Sequence, residues 1–401
     1  MADVTNPRVR SAVSTVVPVL RQYANEVDAS ARFPVENLKA LRETGLLGLL
    51  VPVAQGGLGA DLADLVEVSQ VLAAECLSTA MIWAMHCQQV DLVVRHAQPR
   101  LQKHLLPRIA RGEVYLASVT TEPGKGGHLL TGDAPVQADG EWLRLDRQAP
   151  VVTGGTHSDG FLVTMRASPE AQPNELTLVY ADREQLDPQV QGGWDALGMR
   201  GTASIRMRLT GSVPAWQIVG EPGGFRTVAI ESLAPVGHIA WAACWLGAAR
   251  GAFAALINLV RSPDRPGSID VRSDLVTERL ARIRVDLELV SGYLHSVRNE
   301  VLTHRRNGRT LDTPATQIHL NTLKVVAAER CFSAIDRLVQ LAGLSLGYRR
   351  DSTIPLERCF RDLRSASLNY ANDRLLTASG ALAVLDRGVQ LAGLPRSGSP
   401  D

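Results

Sequence analysis

"TTEPGKGGHLL", residues 120–130, sets a rigid turn between two runs of different character. Before it stands the apolar stretch VYLASV, residues 114–119; after it comes the mixed stretch LLTGDAPVQADGEWLRL, residues 129–145. Proline fixes φ and glycine accepts the left-handed region, so Glu122-Pro123-Gly124 reads as a tight turn leaving a strand. Further β-type runs follow at residues 140–168, 174–184 and 203–215, split by Gly, Asp, Asn and Pro. Strands this short and irregularly alternating predict a small barrel or sandwich over residues 116–222, and argue against a parallel sheet with crossover helices.

On either side the period changes to that of a helix. In residues 33–52, Val35, Leu38, Leu41 and Leu46–Leu47 form a stripe punctuated by Gly45 and Pro52. Residues 53–97 read as a glycine turn and then one long helix, apolar on several faces and therefore buried against other helices. From residue 223 onward the helical period returns. Leu280, Ile283, Leu287, Val290, Leu294 and Val297 repeat at three and four, the seam of a helix bundle. Residues 316–344 and 363–393 supply two more helices. The expected class is α+β, mainly α: an N-terminal helical domain (1–115), a central β domain (116–222) and a C-terminal four-helix bundle (223–401). A cleft where such domains meet is the default place for chemistry.

The composition narrows the function. The chain has 401 residues, 45% of them apolar and 21% charged, with a formal net charge of +1. That near-neutral balance gives no footprint for nucleic acid or an anionic membrane. Cys76, Cys87, Cys244, Cys331 and Cys359 are widely spaced with no CxxC pair, the pattern of reduced thiols in a cytoplasmic protein. No uninterrupted run of 18 apolar residues and no N-terminal signal core is present, so a soluble, unexported protein is expected. Nine histidines without HxxxH or HExxH spacing offer no metal site.

Six motifs in order resemble those of the acyl-CoA dehydrogenase superfamily of flavoproteins, including its monooxygenase branch. They are GLLGLLVPVAQGGLGADL (45–62), SVTTEPGKGG (118–127), APVVTGGTHSDGFLV (149–163), ALGMRGTAS (196–204), VQLAG (339–343) and PLERCFRDLRSA (355–366). The resemblance implies the family's fold and a bound flavin, FAD or conceivably FMN, lying against the Thr-Glu-Pro-Gly turn. It implies that Val119, Thr120 and Thr121 offer backbone and hydroxyl groups to the isoalloxazine edge, with Val151 and Thr153 meeting the ring from the next strand. The competing reading is that threonines are simply good β-formers. After Gly124 the family commonly continues Ala-Gly-Ser-Asp, whereas this chain has Lys125, Gly126, Gly127 and His128.

The catalytic carboxylate is missing from both places where the family carries it. One follows an Arg-Asp pair, here Arg361–Asp362, and Tyr370 stands where the Glu would be. The other precedes a Leu-Gly pair, here Leu246–Gly247, and Gly237 occupies it with His238 beside it. The monooxygenase branch often has a histidine after the Arg-Asp pair, and this chain has Asn369 there. Candidate substitutes are Glu231, Asp373 and His238, the last titrating near neutrality in water, with Asn369 able to donate a hydrogen bond but not to shuttle a proton. The plain alternatives are a helix-start acid for Glu231 and a surface acid for Asp373, and an ion-paired structural role for Asp362.

The resemblance also places an arginine from a neighbouring subunit on the FAD pyrophosphate. The corresponding loop is NLVRSPDRPGSID (258–270), with Arg265 the candidate and Arg261 the alternative. Gln340 and Gly343 match the adenine-side Gln-x-x-Gly, while Leu344 and Leu346 replace the later glycines. Sites shared between subunits imply a homodimer or homotetramer. The expected substrate is an acyl thioester on CoA or a carrier protein, in a specialised biosynthetic pathway. The partners are then an electron acceptor or, for a monooxygenase, a flavin reductase; no nucleic acid and no membrane is expected.

Overall fold

The N-terminal helical patterns become α1 (Pro7–Ser30), α2 (Val35–Glu43), α3 (Leu62–Glu75), α4 (Leu77–His96) and α5 (Pro99–Ala110) in a computed structural model that describes residues 6–124, 128–263, 267 and 269–390. Asn6 caps α1 by accepting the Arg8 N–H at 3.0 Å. The single helix expected after the glycine turn is two helices. They part at Cys76, whose Sγ accepts the Thr79 hydroxyl at 3.2 Å. Gly57 in the turn before α3 is required: a Cβ there would lie 2.1 Å from the Val51 carbonyl oxygen.

Eight strands follow among the described residues: β1 (Leu116–Val119), β2 (Gln137–Asp139), β3 (Trp142–Val152), β4 (Gly160–Arg166), β5 (Leu176–Asp182), β6 (Leu186–Val190), β7 (Ile205–Pro214) and β8 (Ile218–Val219). They form two four-stranded sheets ordered β1-β4-β5-β8 and β2-β3-β7-β6. Of the two β architectures expected, the sandwich is found and the barrel is not. The outer strands β1, β8, β2 and β6 each keep a single neighbour, so no sheet closes on itself. Strands β4 and β5 are buried on both faces and accordingly read as continuous apolar runs. Phe161, Val163 and Val179 meet Leu145, Met207 and Leu209 of the opposing sheet. Leu162, Leu178 and Tyr180 meet Val90, Leu101, Leu105 and Ile109 of α4 and α5 on the other face. Strand β3, with one face open, alternates exposed and buried instead.

After the strands, α6 (Phe225–Val228), a π-helical turn (Ala229–Leu233) and α7 (Ala234–Val260) run on as one helix; α8 (Asp274–Arg306), α9 (Pro314–Gly343), α10 (Leu356–Arg364) and α11 (Asn372–Ala383) complete the chain. The continuous helix over 225–260 is long and apolar enough to cross a membrane by length and composition alone, but 56% of its most apolar window is buried inside the protein. The described residues fall into two compact units. The first runs to Leu65 and includes Met81–Ala196 and Arg200–Gly237; the second holds Val66–Ala80, Leu197–Met199 and the chain from His238 onward. In the second unit α9 packs against α8, α10 and α11. Gly247 and Gly251 let α7 approach α3 closely, since a Cβ on Gly247 would lie 2.3 Å from the Gln70 carbonyl oxygen.

His86, fully buried on α4, ties strand β1 to the turn at Leu46–Gly48 in the first unit. Its Nδ1 accepts the Leu116 N–H at 3.0 Å and its Nε2 meets the Leu47 carbonyl at 2.9 Å. A ring that accepts at one nitrogen and donates at the other is neutral. Burial pushes its pKa down to about 4, against an ordinary 6.5, with the Leu47 carbonyl opposing the shift. The unfolded chain therefore binds a proton that the folded chain refuses between those two values. Stability should fall by about 1.4 kcal/mol for each pH unit lowered through that window, about 3 kcal/mol in all. Denaturant melts from pH 7 to 4 measure this, and an NMR midpoint for His86 near 6.5 would contradict it.

Candidate active site

In the first unit, the turn after β1 is held by its glutamate. Glu122, with a side chain only 9% exposed, forms an ion pair at 2.5 Å with Arg147 of β3, itself 2% exposed. The other lone pairs of the carboxylate accept the Asp133 and Ala134 N–H groups, each at 2.9 Å. Burial alone would raise the Glu122 pKa, but Arg147 and these N–H groups outweigh it and hold the carboxyl below its ordinary range. One carboxylate thus joins both ends of the 122–134 loop to the sandwich, with Gly124 at φ 76°. Lys125, Gly126 and Gly127, the altered half of the motif, lie outside the described residues.

Five of the expected flavin-facing residues are neighbours here. Val119 ends β1 and is buried; Thr120 and Thr121 follow, half-buried. The Thr121 hydroxyl donates to the Val151 carbonyl at 3.0 Å and accepts the Val151 N–H at 3.3 Å. Arg147 also donates to the Thr121 carbonyl at 2.9 Å. Opposite, β3 breaks register with β7 between Ala149 and Val152, a bulge at Pro150–Val151 that leaves Val151 41% exposed. Thr153 bonds Ser204 at 2.9 Å through its hydroxyl. The result is an edge with an exposed apolar side chain and a half-buried Thr120 hydroxyl that makes no hydrogen bond among the described residues. On its other long side β1 pairs with no strand, and its Leu116 N–H there goes to His86. Such an edge fits one side of a planar, hydrogen-bonding ring.

In the second unit, Tyr370, at one of the empty carboxylate positions, meets His238. The His238 ring, 3% exposed, has its centroid 6.0 Å from that of Tyr370 and 6.0 Å from that of Trp241. Among the described residues, His238 Nδ1 and the indole N–H of Trp241 are buried without a hydrogen-bond partner. Burial, with Lys324 nearby, pushes the His238 pKa down to about 3 despite an opposing hydrogen bond to the Leu320 backbone. The ring is therefore neutral at ordinary pH, and the expectation that it titrates near neutrality is corrected. Burial also raises the Tyr370 phenol. Neither group is a base suited to a weakly acidic C–H.

Tyr370 sits in a break that the helical pattern hides. The segment expected as one helix from residue 363 onward ends at Arg364, turns, and restarts at Asn372 as α11, with Tyr370 at φ 56°. Lys324, a residue with no part in the sequence reading, holds the turn. Its Nζ donates to the Ala366 carbonyl (2.9 Å), the Tyr370 carbonyl (2.9 Å) and Asn372 Oδ1 (2.7 Å), and it lies 5.5 Å from the Trp245 ring centroid. The signal was available: Lys324 falls on the α9 stripe Leu320, Ala327, Cys331 and Ala334, so a charge there had to be buried. Burial lowers its pKa to about 7, although three acceptors favour the ammonium.

The remaining candidates are scattered. Asn369 is half-buried in the same turn, next to Tyr370, while Asp373 on the first turn of α11 is exposed. Glu231 is half-buried in the π-helical turn and belongs to the first unit, not to the second with His238. Gln340 is exposed and donates to Asp336 at 2.7 Å; Gly343 ends α9 at φ 68°. Both lie sixteen or more residues along α9 from Lys324, about 24 Å at the helical rise, so they belong to a different place. Arg265 lies outside the described residues. Asp362 accepts the Met199 N–H at 2.5 Å, and Arg361 pairs with Glu357 and donates to the Leu197 carbonyl at 3.1 Å. Together they fix residues 197–199 against α10. A Cβ on Gly198 would come within 2.1 Å of the Arg361 carbonyl oxygen, which is why a glycine stands there.

Family models bear on this arrangement at both ends of the chain. The model for the acyl-CoA dehydrogenase N-terminal domain matches residues 8–113 and that for the C-terminal domain residues 239–387. The chain belongs to the acyl-CoA dehydrogenase superfamily. It is accordingly a flavin-dependent oxidoreductase of that fold, the class the motifs imply. It is 24% identical to the mitochondrial isobutyryl-CoA dehydrogenase of Dictyostelium discoideum over 364 residues, 89% of this chain and 83% of that protein. Among solved structures it resembles butyryl-CoA dehydrogenase from Megasphaera elsdenii, with a TM-score of 0.82 at 18% identity, covering 96% of this chain and 100% of the other. It also resembles dibenzothiophene monooxygenase from Paenibacillus sp. A11-2, with a TM-score of 0.81 at 19% identity, covering 96% and 99%. These structural likenesses establish the shared fold.

The Glu122–Arg147 pair gives a direct expectation. Glu122→Gln leaves a buried guanidinium uncompensated, a loss of about 3–5 kcal/mol. The denaturant midpoint should drop and the 122–134 loop should become open to proteolysis. An unchanged midpoint and an intact loop would contradict the assigned role.

Proposed function

We propose that this superfamily member works as a flavin-dependent monooxygenase, taking reduced flavin from a partner reductase. One observation carries the reading: neither of the family's two positions for a catalytic carboxylate holds an acid, Gly237 standing at one and Tyr370 at the other, and the His238 ring next to Gly237 packs 6.0 Å from that of Tyr370. Removing an α-proton from an acyl thioester needs a base whose pKa lies near working pH, and this wall has none. Oxygen transfer from reduced flavin has no such requirement. When bound, the reduced flavin supplies two electrons to dioxygen, so that one oxygen atom enters the substrate and the other leaves as water.

The residues of the chain take the following parts. Val119, Thr120, Thr121, Val151 and Thr153 offer the edge that holds the ring, whether of FAD or FMN. His238 Nδ1 accepts, and the Trp241 indole and Asn369 amide donate, to a polar group of the substrate. Gln340, Gly343 and Arg265 would serve the dinucleotide half if FAD is used, across a homodimer or homotetramer. A second reading is acyl-thioester oxidation on CoA or a carrier protein. What favours it is Glu231, a half-buried carboxylate in a π-helical turn at the entry to α7, since such turns often accompany functional sites.

Flavin-loaded protein titrated anaerobically with straight-chain, branched and aryl acyl-CoA should keep its visible flavin absorbance. Oxygen uptake should appear only when a reductase supplies reduced flavin. Bleaching by any thioester would overturn the first reading and make Glu231→Gln the next variant to measure. Tyr370→Glu, which restores a carboxylate at the family position, should gain thioester-dependent bleaching.

A further inference from the structure

The 365–371 turn keeps local backbone hydrogen bonds, Leu368 and Asn369 N–H to the Ser365 carbonyl at 2.9 Å and Asn372 N–H to the Ser367 carbonyl at 3.1 Å, but these leave the Ala366 and Tyr370 carbonyls to Lys324, and Tyr370 adopts a left-handed conformation at φ 56°. A tyrosine there costs about 1 kcal/mol or more unless neighbouring contacts impose it. Three acceptors of this stretch, the Ala366 carbonyl, the Tyr370 carbonyl and Asn372 Oδ1, converge on one ammonium at 2.9, 2.9 and 2.7 Å. We propose that Lys324 is the positioning residue of the active site: its ammonium fixes the 366–372 turn and thereby sets Tyr370 and Asn369 against His238. This rests on the reading above that the His238–Tyr370 wall faces the substrate.

The position suits such a role. Lys324 is fully buried on α9, with the Trp245 ring 5.5 Å from Nζ. Two titratable groups face it. These are His238 from α7 and Glu329 from α9 itself, with Glu329 accepting the Asn372 amide at 3.2 Å, while the turn presents the Tyr370 backbone carbonyl. His238 stays neutral through the working range, so the Lys324 charge is the one that changes there. As an ammonium it donates three hydrogen bonds; as an amine it donates only two and must release one of the three oxygens. The lowered pKa of about 7 places that exchange close to neutrality.

The test compares the full-length wild type with Lys324→Met, Lys324→Arg and Asn372→Ala, by amide exchange of the 366–372 segment and by reduced-flavin-dependent oxygen uptake across pH 6–9. Each hydrogen bond to a charged group contributes enough that its loss should speed exchange of the segment by roughly tenfold or more. Lys324→Met should show that gain with the β-sandwich peptides unchanged, a matching fall in kcat with little change in KM, and no inflection near pH 7. Lys324→Arg should restore part of the protection. Should Lys324→Met fail to fold, Asn372→Ala must show the same changes on a smaller scale. Unchanged exchange in Lys324→Met, or faster exchange with kcat and its pH profile intact, overturns the proposal. Absence of oxygen uptake in the wild type instead overturns the monooxygenase reading, and the exchange comparison then decides the Lys324 assignment by itself.

Discussion

A buried ammonium is the constraint around which the second unit is arranged. Taking a lysine out of water costs several kcal/mol unless acceptors surround it. Lys324 obtains them only because α10 stops at Arg364 and the chain turns before α11 begins. The helix break, the left-handed Tyr370 and the placing of its ring beside His238 are therefore parts of one electrostatic solution. A carboxylate at residue 370 would have added a charge that could pair with the cation. A phenol adds none, and the wall it forms with His238 is neutral.

The first unit also buries a cation, but answers it with a carboxylate rather than with neutral acceptors. Arg147 is driven inward by strand alternation, between Leu145 and Ala149 on the buried face of β3, and Glu122 supplies its partner from the turn. That pair leaves the Thr120–Thr121 edge and the Val151 bulge as fixed shapes. Each unit is thus held around buried charge, the Arg147–Glu122 pair in the first and Lys324 in the second, and the groups beside these anchors are threonines in the first and tyrosine, histidine and tryptophan in the second. Chemistry that needs polar contacts and a bound redox group is compatible with such a surface; chemistry that needs a side-chain carboxylate in the second unit is not.

Much of the fold could be read from periodicity. The three-and-four seam of Leu280 to Val297 and the alternating and continuous strands of residues 142–182 each report which faces are buried, and burial is what a hydrophobic pattern encodes. The two helix breaks were not readable. Residues 363–383 keep helical spacing across Tyr370 because the turn is imposed by a cation some 46 residues away in sequence, at the Lys324–Tyr370 contact. The break at Cys76 is equally silent. At the site, the absence of the carboxylates was legible, as was the Thr-Glu-Pro-Gly edge. What sequence reading missed was the pair of charges that hold these places. It looked for bases and ligands and passed over Lys324 and Arg147, although both fall on inward-facing positions of their own elements. The expected proximity of His238 to neutrality failed for the same reason, since burial and a neighbouring cation were not visible in one dimension.

The most direct measurement is exchange of the substrate α-hydrogen. Flavin-loaded protein would be incubated anaerobically with an acyl-CoA panel in D2O, and the α-position followed by NMR, which reports proton abstraction whether or not hydride follows. A wall of neutral rings should leave the α-hydrogen at the rate seen without protein. Exchange well above that rate would mean that a competent base reaches the thioester, and the claim that this member of the family has given up carboxylate-driven proton abstraction would be wrong.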